Sequence, residues 1–303
     1  MIKKFFKIIL NKDYRFCVFA NFGVYNYMDD KVFLQKMFKA KMGYQLNLNN
    51  PSTYNEKLQW LKLYNRNKEY TNLVDKFEVR KFVKDKIGEK YLIPLIGVWE
   101  CVEEINFNEL PRKFVLKCTH NSGLGMIICR DKSNLKIKKV KNELKKGIKE
   151  NYYLTRREWP YKNVRPRIIA EELIGDGSKS PLDYKFFVFN GKIDSVMVCV
   201  GREKGYPDFY FYDMDWNRLM YQNIEKFDGE EPKKPDNFGE MISIVESLSK
   251  GYCHVRIDLY NINGKIYFGE ITFYNQSGYD LDISKETDIK WGKKINLSEK
   301  ILV

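Results

Sequence analysis

A predicted β-hairpin near the end of the chain constrains the fold more than any other stretch. In residues 254–262, apolar residues alternate with polar ones, which is the period of a half-buried strand. An Asn-Gly pair at 263–264 supplies the positive-φ residues that a tight turn requires, and a second strand-like run follows over 265–273. The hairpin therefore predicts that Asp258 and Glu270 stand opposite each other on neighbouring strands.

Arg256 and Thr272 lie beside these two carboxylates in the predicted pairing. Two acids that converge from rigid strands next to an arginine can hold a divalent cation and a phosphoryl group. The same residues could instead form a solvated strand face or a structural ion-pair cluster. The hairpin alone leaves these interpretations open, so a nucleotide site needs support from the rest of the chain.

Composition narrows the class of protein. The chain has 303 residues and is 44% hydrophobic, which is too apolar for a disordered chain. Its formal charge of +13 comes from lysines spread along the whole length, and no recognised nucleic-acid motif accompanies the charge, so we expect no nucleic-acid partner. The six cysteines include no CxxC pair and are predicted to be buried free thiols of a reducing compartment, not zinc ligands.

The N-terminal region, residues 1–95, is predicted to be helical. Its basic, amphipathic start at residues 1–12 fits a first helix packed on the body, or a weak contact with an anionic membrane surface. A helix predicted to begin near Thr71 carries Asp75, Lys76 and Arg80 on its polar face. These charges predict a surface ion-pair network, with a phosphate or anionic-sugar contact as the alternative.

A glycine-containing turn joins two strand-like segments between residues 110 and 130. Lys117 ends the first strand, and the turn that follows contains Asn121, Ser122, Gly123 and Gly125. Such a turn can lay backbone N–H groups over phosphates while a lysine supplies a point charge. A glycine pair in a hairpin is common, and neither a Walker loop nor a Rossmann fingerprint is present.

The next segments predict a lysine-rich helix over 135–153, a strand over 166–176 and a second hairpin over 183–202. The strand ends in Glu-Glu-Leu-Ile at 171–174, and Asn-Gly at 190–191 turns the hairpin. Because Lys185 and Arg202 lie near the outer ends of the two paired strands, they are expected to come close together.

In this order the motifs resemble the ATP-grasp superfamily, most closely its TupA-like branch, which is linked to surface-polysaccharide and teichuronopeptide biosynthesis. They are a strand lysine with a glycine loop, Glu-Glu-Leu-Ile, D-x-K in a hairpin, R-x-D and G-E-x-T. The resemblance implies an α+β fold in which two lobes sandwich ATP after a helical N-terminal region. The expected boundaries are 1–95, 96–177 for the lobe with the glycine loop, and 178–303 for the lobe with the metal site.

The resemblance also implies a role for each matching residue. The expected ATP-binding residues are Lys117, Asn121, Ser122, Gly123, Gly125, Glu171, Glu172, Leu173, Ile174 and Asp176. The expected Mg²⁺ ligands are Asp258, Glu270 and Thr272, where many relatives have Asn in place of Thr272. The expected catalytic residues are Arg256, Arg202 and Lys185, and many relatives have Arg in place of Lys185.

The implied activity is an ATP- and Mg²⁺-dependent carboxylate–amine ligase that works through an acyl phosphate. The resemblance further implies that a uronic acid of a surface polysaccharide, or its precursor, is joined to an amino acid or another amine. Two alternatives stay open, a kinase that phosphorylates a sugar hydroxyl and a binding module for anionic glycans. The expected location is the cytoplasm, with the inner face of the cell membrane as the alternative.

Overall fold

The computed structural model describes residues 2–175, 177, 180–205, 207–223 and 230–297. The described N-terminal region is helical, as predicted. Its helices are α1 (Ile2–Leu10), α2 (Lys12–Asn21), α3 (Asp30–Met42), α4 (Tyr54–Tyr64), α5 (Glu69–Val74) and α6 (Val79–Ile87). Within these ranges, no helix combines the length and the apolar character that crossing a lipid bilayer requires.

Two antiparallel sheets follow. The first has the order β1-β4-β2-β3 and the second the order β10-β9-β5-β6-β7-β8. The strands are β1 (Leu95–Trp99), β2 (Phe114–Cys118), β3 (Ile127–Cys129), β4 (Ile168–Glu172), β5 (Asp183–Phe189), β6 (Lys192–Val200), β7 (Asp208–Tyr212), β8 (Arg218–Leu219), β9 (His254–Ile262) and β10 (Lys265–Thr272). The remaining α-helices are α7 (Ile137–Ile148), α8 (Tyr152–Arg156), α9 (Phe238–Ser249) and α10 (Lys285–Lys294).

Strand β5 is buried along its entire length because it lies between β9 and β6 and both faces of the second sheet are covered. Phe186 stacks on Phe238 of α9 at 5.9 Å between ring centroids, and Phe187 stacks on Trp291 of α10 at 4.6 Å. Successive side chains of a strand point to opposite faces. Helices therefore pack on both sides of the sheet and give it a rigid core.

The predicted hairpin of β9 and β10 is confirmed, and it contains a bulge. Asn263 and Gly264 adopt the left-handed conformation at the turn, and the register shifts by one residue between Phe268 and Glu270. This shift places Asp258 opposite Glu270. At the bulge, a Cβ on Gly269 would lie 2.9 Å from the carbonyl oxygen of Asp258, which explains the glycine there.

Two predicted helix lengths were wrong. The helix expected from Thr71 is interrupted between α5 and α6, where the Asp75 carboxylate accepts a hydrogen bond of 2.8 Å from the backbone N–H of Phe77. Such a side-chain bond competes with helical backbone bonding. The lysine-rich helix predicted over 135–153 is likewise divided into α7 and α8. All six cysteines are free, as expected, but only Cys118, Cys129 and Cys199 are buried, so the predicted burial was wrong for the other three.

Candidate active site

A cleft of about 340 Å³ opens between the two sheets. One part of its wall is apolar and the other is strongly charged. The apolar part contains Val79, Leu92, Ile93, Val115, Met126, Ile128, Leu173, Ile174 and Phe268. The charged part contains Lys76, Arg80, Lys117, Glu171, Glu172, Asp183, Lys185, Arg202, Asp258 and Glu270. Most of the residues that the sequence pointed to therefore line one cavity, while their roles remain predictions.

Glu171 organises the cations on the side of the first sheet. Strand β4 buries its carboxylate, which accepts a bond of 2.7 Å from Lys117 Nζ and one of 2.9 Å from Arg80 Nη1. The Arg80 guanidinium also donates to the backbone carbonyl of Ile93 at 2.9 Å. Arg80 therefore belongs to the wall of the cleft, and the expected ion-pair network of α6 includes it.

The glycine loop, residues 121–125, is fixed at several points. Lys76 donates from Nζ to the backbone carbonyl of Asn121, and the Asn121 side-chain amide donates to the carbonyl of Gly147 in α7 at 3.1 Å. Ser122 and Gly123 line the cleft, whereas Asn121 is buried behind it. Gly125 has a positive φ of 75° and packs against α7. The loop thus presents two of its four predicted ATP-binding residues to the cavity.

The end of β4 and the segment that follows it line the apolar end of the cleft. The backbone N–H of Glu172, the last residue of β4, donates to the carbonyl of Pro94 at 3.1 Å, which ties the strand end to the chain before β1. Glu172, Leu173 and Ile174 all reach the cavity. Asp176, the predicted ribose partner, lies outside the described residues.

Lys185 and Arg202 meet through a carboxylate that the sequence argument did not single out. Asp183 Oδ2 accepts 2.8 Å contacts from both Lys185 Nζ and Arg202 Nη2. Lys185 also bonds to Asp258 on the neighbouring strand. The other oxygen of Asp183 is buried without a hydrogen-bond partner among the described residues. The expected approach of Lys185 and Arg202 is therefore confirmed, and Asp183 bridges them.

Arg256 connects both predicted metal-binding carboxylates. Its guanidinium forms a bidentate pair with Asp258, with Nε to Oδ1 at 2.7 Å and Nη2 to Oδ2 at 2.8 Å. Nη2 also contacts Glu270 Oε1 at 2.9 Å and Thr272 Oγ1 at 3.2 Å, while Nη1 donates to Asn275. Arg256 and Thr272 are not among the residues that line the cleft. They lie behind the two carboxylates, and the Arg256 guanidinium holds Asp258 and Glu270 in position.

Burial and charge act in opposite directions on Asp258. Burial alone would raise the pKa of Asp258, but the Arg256 and Lys185 cations beside it outweigh burial and lower that pKa to about 2. The carboxylate therefore stays ionised at neutral pH, as a cation ligand must. Burial also lowers the pKa of Lys76, while the nearby Glu270 acts in the opposite direction.

The donor set fits Mg²⁺. Asp258 and Glu270 offer the hard oxygen ligands that this ion prefers, and the Glu270 side chain is 46% exposed at the cleft. Among the described residues, no group of three or more His, Cys, Asp or Glu side chains forms a ready-made metal cluster. Two carboxylates suffice for Mg²⁺ when phosphates complete its coordination.

Sequence reasoning underrated Lys76 and Arg80 and missed Asp183 and Asn275. The first pair was assigned to a surface ion-pair network, with a phosphate or anionic-sugar contact only as the alternative, yet both side chains line the cleft. Their signal was the short Asp-Lys-x-x-x-Arg spacing at 75–80. Asp183 belongs to the quoted D-x-K motif, so its carboxylate could have been included. Nothing in the sequence around Asn275 indicated its contact with Arg256.

The two histidines occupy structural positions. His254 is fully enclosed, where Nδ1 contacts the carbonyl of Val188 at 2.9 Å and Nε2 contacts the Tyr54 hydroxyl at 2.9 Å. Because a carbonyl only accepts, Nδ1 carries the proton and the tyrosine donates to Nε2. His120 Nε2 contacts the carbonyl of Glu150 at 3.1 Å. Neither histidine lines the cleft.

The cleft lies between two antiparallel sheets and has cations on both walls and a pair of acids at one end. This arrangement is suited to binding a nucleotide phosphate chain.

A family model, described as TupA-like ATPgrasp, matches residues 56–296. The chain belongs to this family, and it has the ATP-grasp fold preceded by N-terminal helices. The resemblance deduced from its motifs is thereby confirmed.

Solved structures with related architecture are distant in sequence. D-alanine–D-alanine ligase from Helicobacter pylori is 12% identical, with 81% of this chain and 70% of that chain covered and a TM-score of 0.44. N5-carboxyaminoimidazole synthetase from Staphylococcus aureus, complexed with ADP, is 12% identical, with 81% of this chain and 57% of that chain covered and a TM-score of 0.43. The ATP-grasp ligase PsnB, complexed with minimal precursor, Mg and ADP, is 10% identical, with 83% of this chain and 64% of that chain covered and a TM-score of 0.36.

The chain thus spans less than two thirds of the length of some of these proteins. A comparison with curated protein sequences found no match. The family match, which covers most of the chain, is what assigns the fold.

Proposed function

We propose that the protein is an ATP- and Mg²⁺-dependent ligase that joins a carboxylate to an amine through an acyl phosphate. Membership of the TupA-like ATP-grasp family supports ligase chemistry. One structural observation carries the proposal further: Lys117 from one sheet and Lys185 from the other face the same cleft as Asp258 and Glu270. Phosphoryl transfer requires this combination of positive charge and metal-binding carboxylates.

ATP would lie along the cleft with its adenine at the apolar end, between Val115, Leu173 and Phe268. Its phosphates would then reach Lys117 and the backbone of the glycine loop. Lys117 is paired with Glu171 and still 23% exposed, so it can contact a phosphate without leaving its partner. Lys76 is a further candidate for this contact because it joins the loop at Asn121 and borders the same cavity.

In the first step, a carboxylate oxygen of the acceptor attacks the γ-phosphorus of ATP. The bond between that phosphorus and the bridging oxygen breaks, so the products are an acyl phosphate and ADP. Bound Mg²⁺ would neutralise phosphate charge during this transfer. Lys185 and Arg202 would offset the negative charge of the acceptor carboxylate and of the transferring group, and Asp183 holds both cations in position.

In the second step, the amine nitrogen attacks the acyl carbon and forms a tetrahedral intermediate. The carbon–oxygen bond to phosphate then breaks, the amine loses a proton to water, and an amide remains. Lys185 and Arg202, which line the cleft, would stabilise the oxyanion of this intermediate, while Arg256 would hold Asp258 and Glu270 in position. No protein nucleophile is needed, because ATP supplies the activation.

We further propose that the acceptor carboxylate belongs to a uronic acid of a surface polysaccharide or its precursor, and that the amine is an amino acid. The family resemblance supports this substrate class. The lining of the cleft holds as many acidic as basic side chains, so specific cations and not net charge would select an anionic substrate. Lys185 and Arg202 border the cavity beside Asp183 and can pair with a substrate carboxylate.

The decisive experiment measures ADP and phosphate release with Mg²⁺ and nucleotide-linked uronic acids, with and without amino acids. A ligase requires both the carboxylate and the amine, and it forms an amide that mass spectrometry can detect. Glu270→Gln should abolish turnover, whereas Glu246→Gln, an exposed change on α9, should leave it intact. Phosphate retained on the acceptor would indicate a kinase, and ATP binding without turnover would indicate a binding module.

A further inference from the structure

A short stretch of left-handed backbone follows the hairpin of β9 and β10. Gln276, Ser277 and Gly278 have φ angles of 46°, 56° and 66°. Residues other than glycine adopt this conformation at a cost, and it normally occurs at isolated positions. Three such residues in succession therefore need support from the surrounding structure. The stretch, which we call the left-handed turn, directly follows Asn275, whose side chain accepts a hydrogen bond from Nη1 of Arg256.

Buried polar side chains of α4 hold the left-handed turn. Asn55, Gln59 and Lys62 are buried, and their spacing along the helix places them on one face. Gln59 Nε2 donates to the carbonyls of Ser277 at 3.1 Å and Gly278 at 2.6 Å. Lys62 Nζ donates to the same Ser277 carbonyl at 2.7 Å and to the Ser277 hydroxyl at 2.9 Å. Helix α4 thus supplies the support that the left-handed turn needs.

A buried hydrogen-bond chain connects α4 with Arg256. Asn55 Oδ1 accepts from the backbone N–H of Asp280 at 2.8 Å, and Asn55 Nδ2 donates to the Asp280 carbonyl at 3.2 Å. The Asp280 carboxylate accepts a bond of 2.8 Å from Nδ2 of Asn275. Because an arginine side chain only donates, the amide oxygen of Asn275 must face Arg256. The orientation of the Asn275 amide is therefore fixed from both sides.

The orientation of Arg256 decides which carboxylate oxygens a cation can reach. Its guanidinium contacts both oxygens of Asp258, whereas hydrogen bonds from the described residues reach only Oε1 of Glu270. Oε2 of Glu270 therefore stays available to a cation. Among the described residues, Asn275 is the only hydrogen-bond partner of Arg256 Nη1. Without it, this buried donor would lose its partner, and the guanidinium would be free to rotate towards Oε2.

We propose that Asn275 is a positioning residue of the metal site and that α4 holds it in place through the left-handed turn. This role rests on the metal-binding part of the proposed function, and it does not depend on which carboxylate or amine reacts. Asn275 keeps Nη1 of Arg256 occupied, so that Glu270 keeps an oxygen for Mg²⁺. Helix α4 thereby contributes to the metal site, although Asn55, Gln59 and Lys62 do not line the cleft.

The first test measures ADP binding by calorimetry with and without Mg²⁺, so it needs no turnover. Asn275→Leu keeps the branching of the side chain but can neither accept from Arg256 nor donate to Asp280. We expect ADP affinity without Mg²⁺ to be unchanged and affinity with Mg²⁺ to fall at least about tenfold, as is typical when a residue that orients metal ligands is lost. The matched control, Asn261→Leu, removes an amide from the far end of β9, where it bonds to Asn237 at 2.6 Å. It should leave both affinities unchanged.

An exchange variant separates positioning from a general loss of stability. In Asn275→Asp/Asp280→Asn, the carboxylate at 275 accepts from Arg256 and the amide at 280 donates to that carboxylate, so both hydrogen bonds are kept. This variant should regain most of the Mg²⁺-dependent affinity that Asn275→Leu loses. Urea denaturation of each variant shows that the protein is folded under the conditions of the titration. An exchange variant that is folded and binds as weakly as Asn275→Leu would overturn the proposal.

Gln59→Leu tests the part of α4. It removes both Gln59 donors from the left-handed turn without a direct contact to Arg256, and it should weaken ADP binding only when Mg²⁺ is present. Unchanged binding in folded Gln59→Leu would overturn the role of the helix.

The same titrations distinguish this proposal from the proposed function. Equal enhancement of ADP binding by Mg²⁺ in the wild type and in Asn275→Leu would overturn the positioning role alone. No enhancement by Mg²⁺ in the wild type would overturn the metal site, and with it both proposals. Mg²⁺ binding that depends on Asn275, in a protein without ligase turnover on any carboxylate and amine, would support the positioning role and overturn the ligase.

Discussion

Arg256 and Asp258 form a bidentate ion pair from alternate positions of β9, at distances of 2.7 and 2.8 Å. The pair is buried, and the Asp258 side chain is only 2% exposed. Glu270, opposite Asp258 on β10, is instead 46% exposed. The two carboxylates face each other at the site, but the buried Asp258 should contribute more to the stability of the fold than the half-exposed Glu270.

Asp258→Asn is expected to lower the free energy of unfolding by about 3 kcal/mol or more, because it leaves the buried Arg256 and Lys185 without their shared carboxylate. Glu270→Gln should cost less than about 1 kcal/mol, since the lost partner is half exposed. Urea denaturation measures both values. Similar losses in the two variants would contradict the difference in burial.

The same two variants should both lose ATP-dependent turnover under the proposed function. For Glu270→Gln, turnover should fall at least about 100-fold while the protein stays folded. Mg²⁺ titration monitored by nucleotide binding should show weaker Mg²⁺-dependent affinity. Normal Mg²⁺ dependence in folded Glu270→Gln would exclude this residue as a metal ligand.

Gly147→Ala should disturb the glycine loop. The added Cβ would lie 2.7 Å from the Cys118 sulfur and 2.9 Å from Gly125 Cα, so the loop or the helix must move, at a cost of about 1–3 kcal/mol. We expect ATP to bind at least several-fold more weakly in a calorimetric titration.

The matched control is Gly239→Ala, a substitution in α9 where a Cβ meets nothing within 4 Å. It should leave ATP binding unchanged and stabilise the helix by about 0.5–1 kcal/mol, because alanine is the better helix former. Unchanged ATP affinity in Gly147→Ala would show that the contact between α7 and the loop is not required for binding.

His254 should make stability depend on pH in the acidic range. Burial lowers its pKa from the ordinary value to about 3, and the nearby Arg256 adds to this shift. Between about pH 6.5 and pH 3, His254 is protonated in the unfolded chain but stays neutral in the folded protein. This contribution to stability is therefore present above pH 6.5 and is lost as the pH falls, by roughly 1.4 kcal/mol per pH unit.

Denaturation curves of wild type and His254→Gln from pH 7 to pH 4 test this directly. The advantage of the wild type should shrink, and then reverse, as the pH falls, because glutamine does not titrate. Parallel pH dependence of the two proteins would show that His254 is not the group that takes up the proton.

Lys62 should be coupled to Glu158. It is buried in α4 and donates to the carbonyls of Ser277 at 2.7 Å and Arg156 at 3.0 Å, and burial lowers its pKa to about 7. Ser277 has a positive φ of 56°, which is costly for a residue other than glycine and requires support. Lys62→Met should therefore destabilise the protein by about 3–5 kcal/mol.

Glu158 is the buried acid whose charge favours protonated Lys62. The double variant Lys62→Met/Glu158→Gln should lose less stability than the sum of the two single variants, because no unpaired buried charge remains. Additive losses would contradict the coupling. Lys68→Met, at an exposed position, controls for the loss of a lysine elsewhere.

The hairpin of β9 and β10 shows what a local sequence pattern can predict and what it cannot. In its second strand, the apolar residues fall on even positions up to Phe268 and on odd positions from Ile271. The bulge at Gly269 adds one residue, which keeps the apolar residues on the same face of the sheet. Without the extra residue, Asp258 would face Gly269 and not Glu270. Strand period and the Asn-Gly turn are local properties and predicted the hairpin, whereas the bulge, which they did not predict, places Asp258 opposite Glu270.

The sequence by itself determined the two hairpins, the helical N-terminal region and the charged residues whose order identified the family. Only the tertiary structure decided which of those charges meet. Asp75 and Lys76 lie in a turn between helices, yet Asp75 pairs with Arg167 at 2.7 Å and Lys76 reaches the glycine loop. Such contacts join residues far apart in the chain, and they depend on how helices and sheets pack. Periodicity records which face of an element is buried, but not which distant side chain covers it.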